Sequence, residues 1–178
     1  YLAQDRSDLQ YSVKECSRHQ ANPNREGLEK IKRLARYLVK CPRWTIKFKY
    51  QQSTGSINAY VDTDFAGCRR TRRSTSGGLV MLGGHMVKSW SSNQAVIALS
   101  SGEAEYYGIV KGASIGLGTQ SILTDLGCSA KLVVWTDATA AKGIATRRGL
   151  GKVRHIHTRE LWLQEKIADG DLEIAKVK

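Results

Sequence analysis

The hydrophobic period of this chain changes at Cys41-Pro42, and neither an all-helical nor an all-strand fold accommodates both halves. Between Asn24 and Lys40, Leu28, Ile31, Leu34, Ala35 and Leu38 recur at helical spacing. Arg25, Lys32, Arg33, Arg36 and Lys40 fill much of the other surface, which predicts a basic amphipathic helix. Asn22-Pro23-Asn24 supplies its start, and Pro42, unable to continue the backbone ladder, marks its stop. A less periodic helix is expected over 8–19. From Trp44 the period is two: Trp44, Ile46, Phe48 and Tyr50 alternate with Thr45, Lys47 and Lys49, as in a half-buried strand. Ser53-Thr54-Gly55-Ser56 turns the chain, and Ile57, Ala59 and Val61 resume the alternation, so the two segments read as a hairpin.

Beyond Asp62 the same reading gives a strand over Leu79–Leu82, a break at Gly83-Gly84 and an antiparallel partner over Met86–Trp90. Ser100-Ser101-Gly102-Glu103 has capping-box spacing, with Glu103 expected to reach back to the Ser100 amide and the helix to run to about Leu117. Leu132-Val133-Val134-Trp135 reads as a central strand buried on both faces. A helix over 139–146, a basic loop Arg147–Lys152, a helix over 158–168 and a strand over 172–177 follow. Strands, helix, strand, helices and strand in this order make an α/β mixed sheet with helices packed on it.

The 178 residues suffice for one well-cored domain with an appendage. Hydrophobic residues at 41% and charged residues at 25% exclude a disordered or fibrous chain. Against 16 acidic residues stand 28 Lys and Arg, and the net charge of +12 nominates a polyanionic partner, nucleic acid first. No apolar run reaches membrane-span length, and Tyr1–Arg6 has no signal core, so no membrane segment is expected. Cys16, Cys41, Cys68 and Cys128 are too scattered for a zinc site and fit reduced intracellular thiols.

Asp62 ends one expected strand, Asp137 follows another, and Glu105 lies in the first turns of the capped helix. Each alone is most simply a cap or turn former. Together they can converge, and converging carboxylates need cations; two Mg2+ or Mn2+ ions about 4 Å apart would serve phosphodiester cleavage. Asp64 either shares that site or caps the turn before Gly67. Glu103 and Glu105 point about 200° apart on a helix, so capping takes Glu103 and leaves Glu105. In the run Arg69–Gly78, Arg72 and Arg73 with the hydroxyls of Ser74, Thr75 and Ser76 are candidates for gripping phosphates, against a plain solvated loop. His85, His155 and His157 lack a zinc-protease spacing and read as structural or exposed. Trp44, Trp90, Trp135 and Trp162 read as core. Gly149-Leu150-Gly151-Lys152 lacks the full phosphate-loop motif.

Taken in order, several strings resemble the ribonuclease H domain of copia-type LTR-retrotransposon Pol polyproteins. They are Tyr60-Val61-Asp62-Thr63-Asp64-Phe65-Ala66-Gly67-Cys68, Thr71–Gly78, Lys88-Ser89-Trp90-Ser91-Ser92, Ala98–Tyr106 and Trp135-Thr136-Asp137. Tyr1-Leu2-Ala3, Arg6-Ser7-Asp8 and Leu34-Ala35-Arg36-Tyr37-Leu38 are similar to the carboxyl-terminal end of the preceding reverse transcriptase, which divides the chain into 1–43 and 44–178. Arg154–Arg159 also resembles the family, which commonly has an acidic residue where His157 stands.

The resemblance implies a ribonuclease H-like mixed five-stranded sheet flanked by helices, its first three strands antiparallel, with an N-terminal helical segment. It implies hydrolysis of the RNA strand of RNA/DNA hybrids during reverse transcription, with two divalent cations on Asp62, Glu105 and Asp137. The remainder of the Pol polyprotein would be a partner, and the setting a cytoplasmic particle or the nucleus. In the family a last helix bearing an Ala-Asp pair follows the strand resembling 172–177 and brings a fourth carboxylate. The chain ends before it, so weak or no activity is expected of these residues alone. The alternative is a non-catalytic remnant acting as a structural or interaction subunit of a larger assembly.

Overall fold

The computed structural model describes residues 2–151, 156 and 158–177. They divide into two compact units, Tyr1–Lys49 with Trp90–Ser92, and Tyr50–Ser89 with Asn93–Lys178.

The first unit is helical: α1 (Leu2–Asp5), a 3-10 turn (Ser7–Leu9), α2 (Gln10–Ser17) and α3 (Arg25–Lys40). The Asn24 side chain caps α3 by accepting from the Gly27 amide at 2.8 Å. A side chain at Gly27 would meet His19 Cβ at 2.7 Å, so the glycine lets the end of α2 and the start of α3 touch. Arg6 forks onto both Asp8 oxygens, at 3.0 and 2.8 Å, and also donates to the Cys41 carbonyl. Tyr37 adds a hydroxyl donor to Asp8. The Arg6 guanidinium, helped by Tyr37, holds the Asp8 carboxyl below its ordinary value.

Residues 44–50 form no strand, which corrects the expected hairpin: Trp44, Ile46, Phe48 and Tyr50 are all exposed, Tyr50 at 94%. Alternation sets which side chains share a face but supplies no hydrogen-bonding partner. The strand this segment was to pair with has both edges occupied by others.

Five strands among the described residues form one sheet in the order β3-β2-β1-β4-β5, and all of it except Trp90–Ser92 of β3 belongs to the second unit. They are β1 (Ser56–Asp64), β2 (Thr75–Leu82), β3 (His85–Asn93), β4 (Lys131–Thr136) and β5 (Leu172–Lys176). β2 runs antiparallel to β1. The two-residue Gly83-Gly84 turn, with Gly83 at φ +56°, makes β3 antiparallel to β2. β4 is parallel to β1 and β5 to β4. This is the expected mixed five-stranded α/β sheet, with its first three strands antiparallel.

The long helix α4 (Ser101–Asp125) packs on β1, β2 and β4 over Ile57, Ala59, Val61, Leu132 and Val134, which form the core. Three glycines on one face, Gly108, Gly112 and Gly116, bring its backbone onto the sheet. A Cβ at Gly108 would stand 2.5 Å from Thr63 Oγ1, one at Gly116 would stand 2.5 Å from a Leu132 methyl, and one at Gly112 would overlap Val61. The helix outlasts the expected end near Leu117 because no breaker intervenes before Gly127. There, at φ +76°, a Schellman pair closes it, Gly127 N–H to the Thr124 carbonyl and Cys128 N–H to the Leu123 carbonyl. α5 (Thr139–Thr146) and α6 (Trp162–Ala168) complete the unit, with a 3-10 turn at Thr158–Glu160.

β4 is not buried on both faces: Leu132 and Val134 are buried, whereas Val133 and Trp135 are half-buried on the face away from α4. There Trp135 stacks on Tyr60 at 6.0 Å, and its indole donates to Asn58. The four tryptophans are not core residues. Trp44 is exposed and the other three are half-buried.

Candidate metal centre

Asp62, near the end of β1, Glu105, in the second turn of α4, and Asp137, just past β4, each offer a carboxylate oxygen within 4.8 Å of the other two. Parallel pairing of β1 with β4 sends both strands toward the same edge, which brings Asp62 and Asp137 together. Thr136, fully buried, accepts at Oγ1 from the Ala138 amide at 3.2 Å and so fixes the turn that carries Asp137.

The start of α4 sets the third carboxylate. Ser100 caps the helix by accepting from the Glu103 amide at 3.2 Å. The Glu103 carboxylate reaches back one residue further than the capping box implies, to the Leu99 amide at 2.7 Å, and also accepts from the Tyr107 hydroxyl. Glu103 is thereby buried at 2% exposure and committed to the cap, which leaves Glu105 for the cluster. Gly108, one turn on, gives the close approach to Thr63 that lets Glu105 reach β1.

Burial, followed by the charges of Asp62 and Asp137, raises the Glu105 carboxyl to about 7, opposed by one hydrogen bond from the Thr63 backbone amide. Its Oε2 is buried and has no hydrogen-bond partner among the described residues. A hard-oxygen donor set, mutual repulsion and an orphaned carboxylate oxygen together fit a divalent magnesium or manganese ion. Among the described residues no histidine joins the cluster, and His85 opens β3; His155 and His157 lie outside the described residues, as does Lys152 of the basic loop. Asp64 serves the turn, its carboxylate lying against Gly67 where a side chain would stand, and is not in the cluster.

The loop after β1 separates the five phosphate-gripping candidates. Arg72 and Arg73 are exposed, with Arg72 in left-handed backbone at φ +57°. Ser74, Thr75 and Ser76 are buried, at 0%, 8% and 2%, which corrects their expected place on a contact surface. Their hydroxyls face inward because they frame the loop and sheet: Ser74 accepts from the Ala66 amide, Thr75 donates to Asn93, and Ser76 accepts from Gln94. Buried Cys68 closes the loop from below, accepting from the Arg72 and Thr71 amides through its carbonyl and sulfur.

Two features escaped sequence reasoning. The Gly108, Gly112, Gly116 stripe is legible as a four-residue repeat, but its partner surface is not. Gln94, a single polar residue between strand and helix, carries no periodic signal at all.

No family model matches the sequence. The retrovirus-related Pol polyprotein from transposon RE1 of Arabidopsis thaliana is 33% identical over 99% of this chain, which covers 12% of that protein. The corresponding polyprotein from transposon TNT 1-94 of Nicotiana tabacum is 29% identical over 97% of this chain and 13% of its own length. The chain thus spans about an eighth of the curated relatives it matches. LC11-RNase H1, isolated from compost by a metagenomic approach, aligns with a TM-score of 0.46 and 17% identity, over 70% of this chain and 85% of that one.

Proposed function

This chain belongs to the retrovirus-related Pol polyproteins of copia-type transposons, in their ribonuclease H region, and on that premise we propose that it acts in divalent-metal-dependent hydrolysis of the RNA strand of RNA/DNA hybrids during reverse transcription. The observation that carries the reading is the meeting of Asp62, Glu105 and Asp137, from three separate elements, within 4.8 Å. Two bound magnesium or manganese ions would supply activation of the attacking water and stabilisation of the leaving oxygen. Asp62, Glu105 and Asp137 would hold them through carboxylate oxygens. Glu105, with its carboxyl raised to about 7, must lose a proton to do so, which ties ion binding to pH.

Exposed Arg72 and Arg73 stand on the loop that leaves β1 just beyond Asp62, and would contact hybrid phosphates as charged forks. Residues 1–43 are assigned to the carboxyl-terminal segment of the preceding reverse transcriptase and 44–178 to the nuclease region. The chain's +12 charge suits a phosphate backbone, while the proposed ion site is locally acidic. A labelled RNA/DNA hybrid incubated with magnesium or manganese tests the function. Cleavage confined to the RNA strand and lost in Asp62→Asn supports it; equal cleavage by Asp62→Asn contradicts it.

A further inference from the structure

We propose that Gln94 is a positioning residue that ties the start of α4 to β2 and thereby holds Glu105 at its distance from Asp62; its relevance to ion binding rests on the nuclease reading. Gln94 is 8% exposed, and its two amide hydrogens go to two different elements. One bond reaches Ser76 Oγ on β2 at 2.9 Å; the other reaches the carbonyl of Ala104, the residue before Glu105, at 2.7 Å. Its own backbone amide donates to the Ser74 carbonyl at 2.9 Å.

These bonds close a ring around the carboxylates. Ser76 is the register partner of Thr63, and Thr63 follows Asp62 in β1. Thr63 in turn lies against Gly108, one turn after Glu105 on α4, and Ala104, the residue before Glu105, leads back to Gln94. The orientation of the Gln94 amide is fixed by chemistry, since the Ala104 carbonyl only accepts and must face the nitrogen. That orientation leaves Gln94 Oε1 buried without a partner among the described residues. A buried acceptor left unmade is costly, so a purely space-filling role would be better served by an apolar side chain. What glutamine adds over methionine at this position is the pair of donors.

The test compares the intact chain with Gln94→Met, which keeps length and burial but loses both donors, and with Val80→Ala. Val80 is a fully buried residue of β2 outside the ring, so its truncation lowers global stability alone. Amide hydrogen exchange along α4 and manganese titration are read for all three. Gln94→Met should lose about tenfold or more of its protection over 104–108 relative to 116–125. Its manganese affinity should weaken by about 10- to 100-fold, as for supporting residues of other ion sites. Val80→Ala should lower the unfolding temperature with manganese affinity unchanged.

Unaltered protection over 104–108 in Gln94→Met overturns the proposal, as does equal loss of manganese affinity in both variants at equal unfolding temperature. If Gln94→Met does not fold, Ser76→Ala removes one of the two acceptors and is read identically. If the unaltered chain binds no manganese, the nuclease reading falls while the exchange measurement still decides the role of Gln94.

Discussion

Gly108 of α4 lies against Thr63 of β1 so closely that a Cβ on the glycine would stand 2.5 Å from the threonine hydroxyl oxygen. Glu105 sits one turn before Gly108 and Asp62 one residue before Thr63, so this contact fixes how near the two carboxylates come. Gly108→Ala must push the helix off the strand. It is expected to cost about 1–3 kcal/mol, despite alanine's better helix propensity. Exposed Gly118 on the same helix has nothing within 4 Å of a built Cβ, and Gly118→Ala should stabilise by about 0.5–1 kcal/mol. Urea unfolding of both variants checks the opposite signs.

Glu105 predicts a pH dependence in metal-free buffer. Its folded carboxyl lies at about 7 against an ordinary 4.5, so between those values the folded chain binds a proton that the unfolded chain releases. The folded state is then penalised as pH rises from about 4.5 through about 7, and the penalty is complete above that. Glu105→Gln removes this contribution and should raise the unfolding temperature at pH 8 by about 2–4 °C, with little gain at pH 4.5. Thermal unfolding with chelator across this range is the measurement.

Some of this organisation was open to sequence reasoning and some was not. The limits of α3 followed from Asn24 and Pro42, because caps and breakers are local chemistry; those of α5 came out at 139–146 although no side chain caps that helix. The gathering of Asp62, Glu105 and Asp137 could be anticipated from strand ends and helical phase, which topology then brings to one place. Trp44–Tyr50 misled because alternation implies a face but not a neighbour. Ser74, Thr75 and Ser76 misled because composition marks a run as polar without saying which way each hydroxyl points. Gln94 was silent, since its role exists only through two elements far apart in the chain.

Arg72 and Arg73 are expected to bind phosphate without supporting the fold, because both are exposed. An Arg72→Gly, Arg73→Ala double variant should weaken hybrid affinity about tenfold and lower the slope of log affinity against log salt by about 1–2. Glycine is chosen at 72 because its backbone, at φ +57°, is one that glycine adopts without strain. The unfolding temperature should therefore not fall. A fluorescence-anisotropy salt series on a labelled hybrid measures both quantities.

The proposed nuclease chemistry requires Asp62, Glu105 and Asp137 to hold a divalent cation. Isothermal titration of manganese into the intact chain and into an Asp62→Asn, Asp137→Asn double variant measures this without relying on turnover. Binding by the intact chain, with affinity reduced at least about 100-fold in the double variant, is the predicted result. Equal manganese binding by both proteins, with both folded, would contradict it.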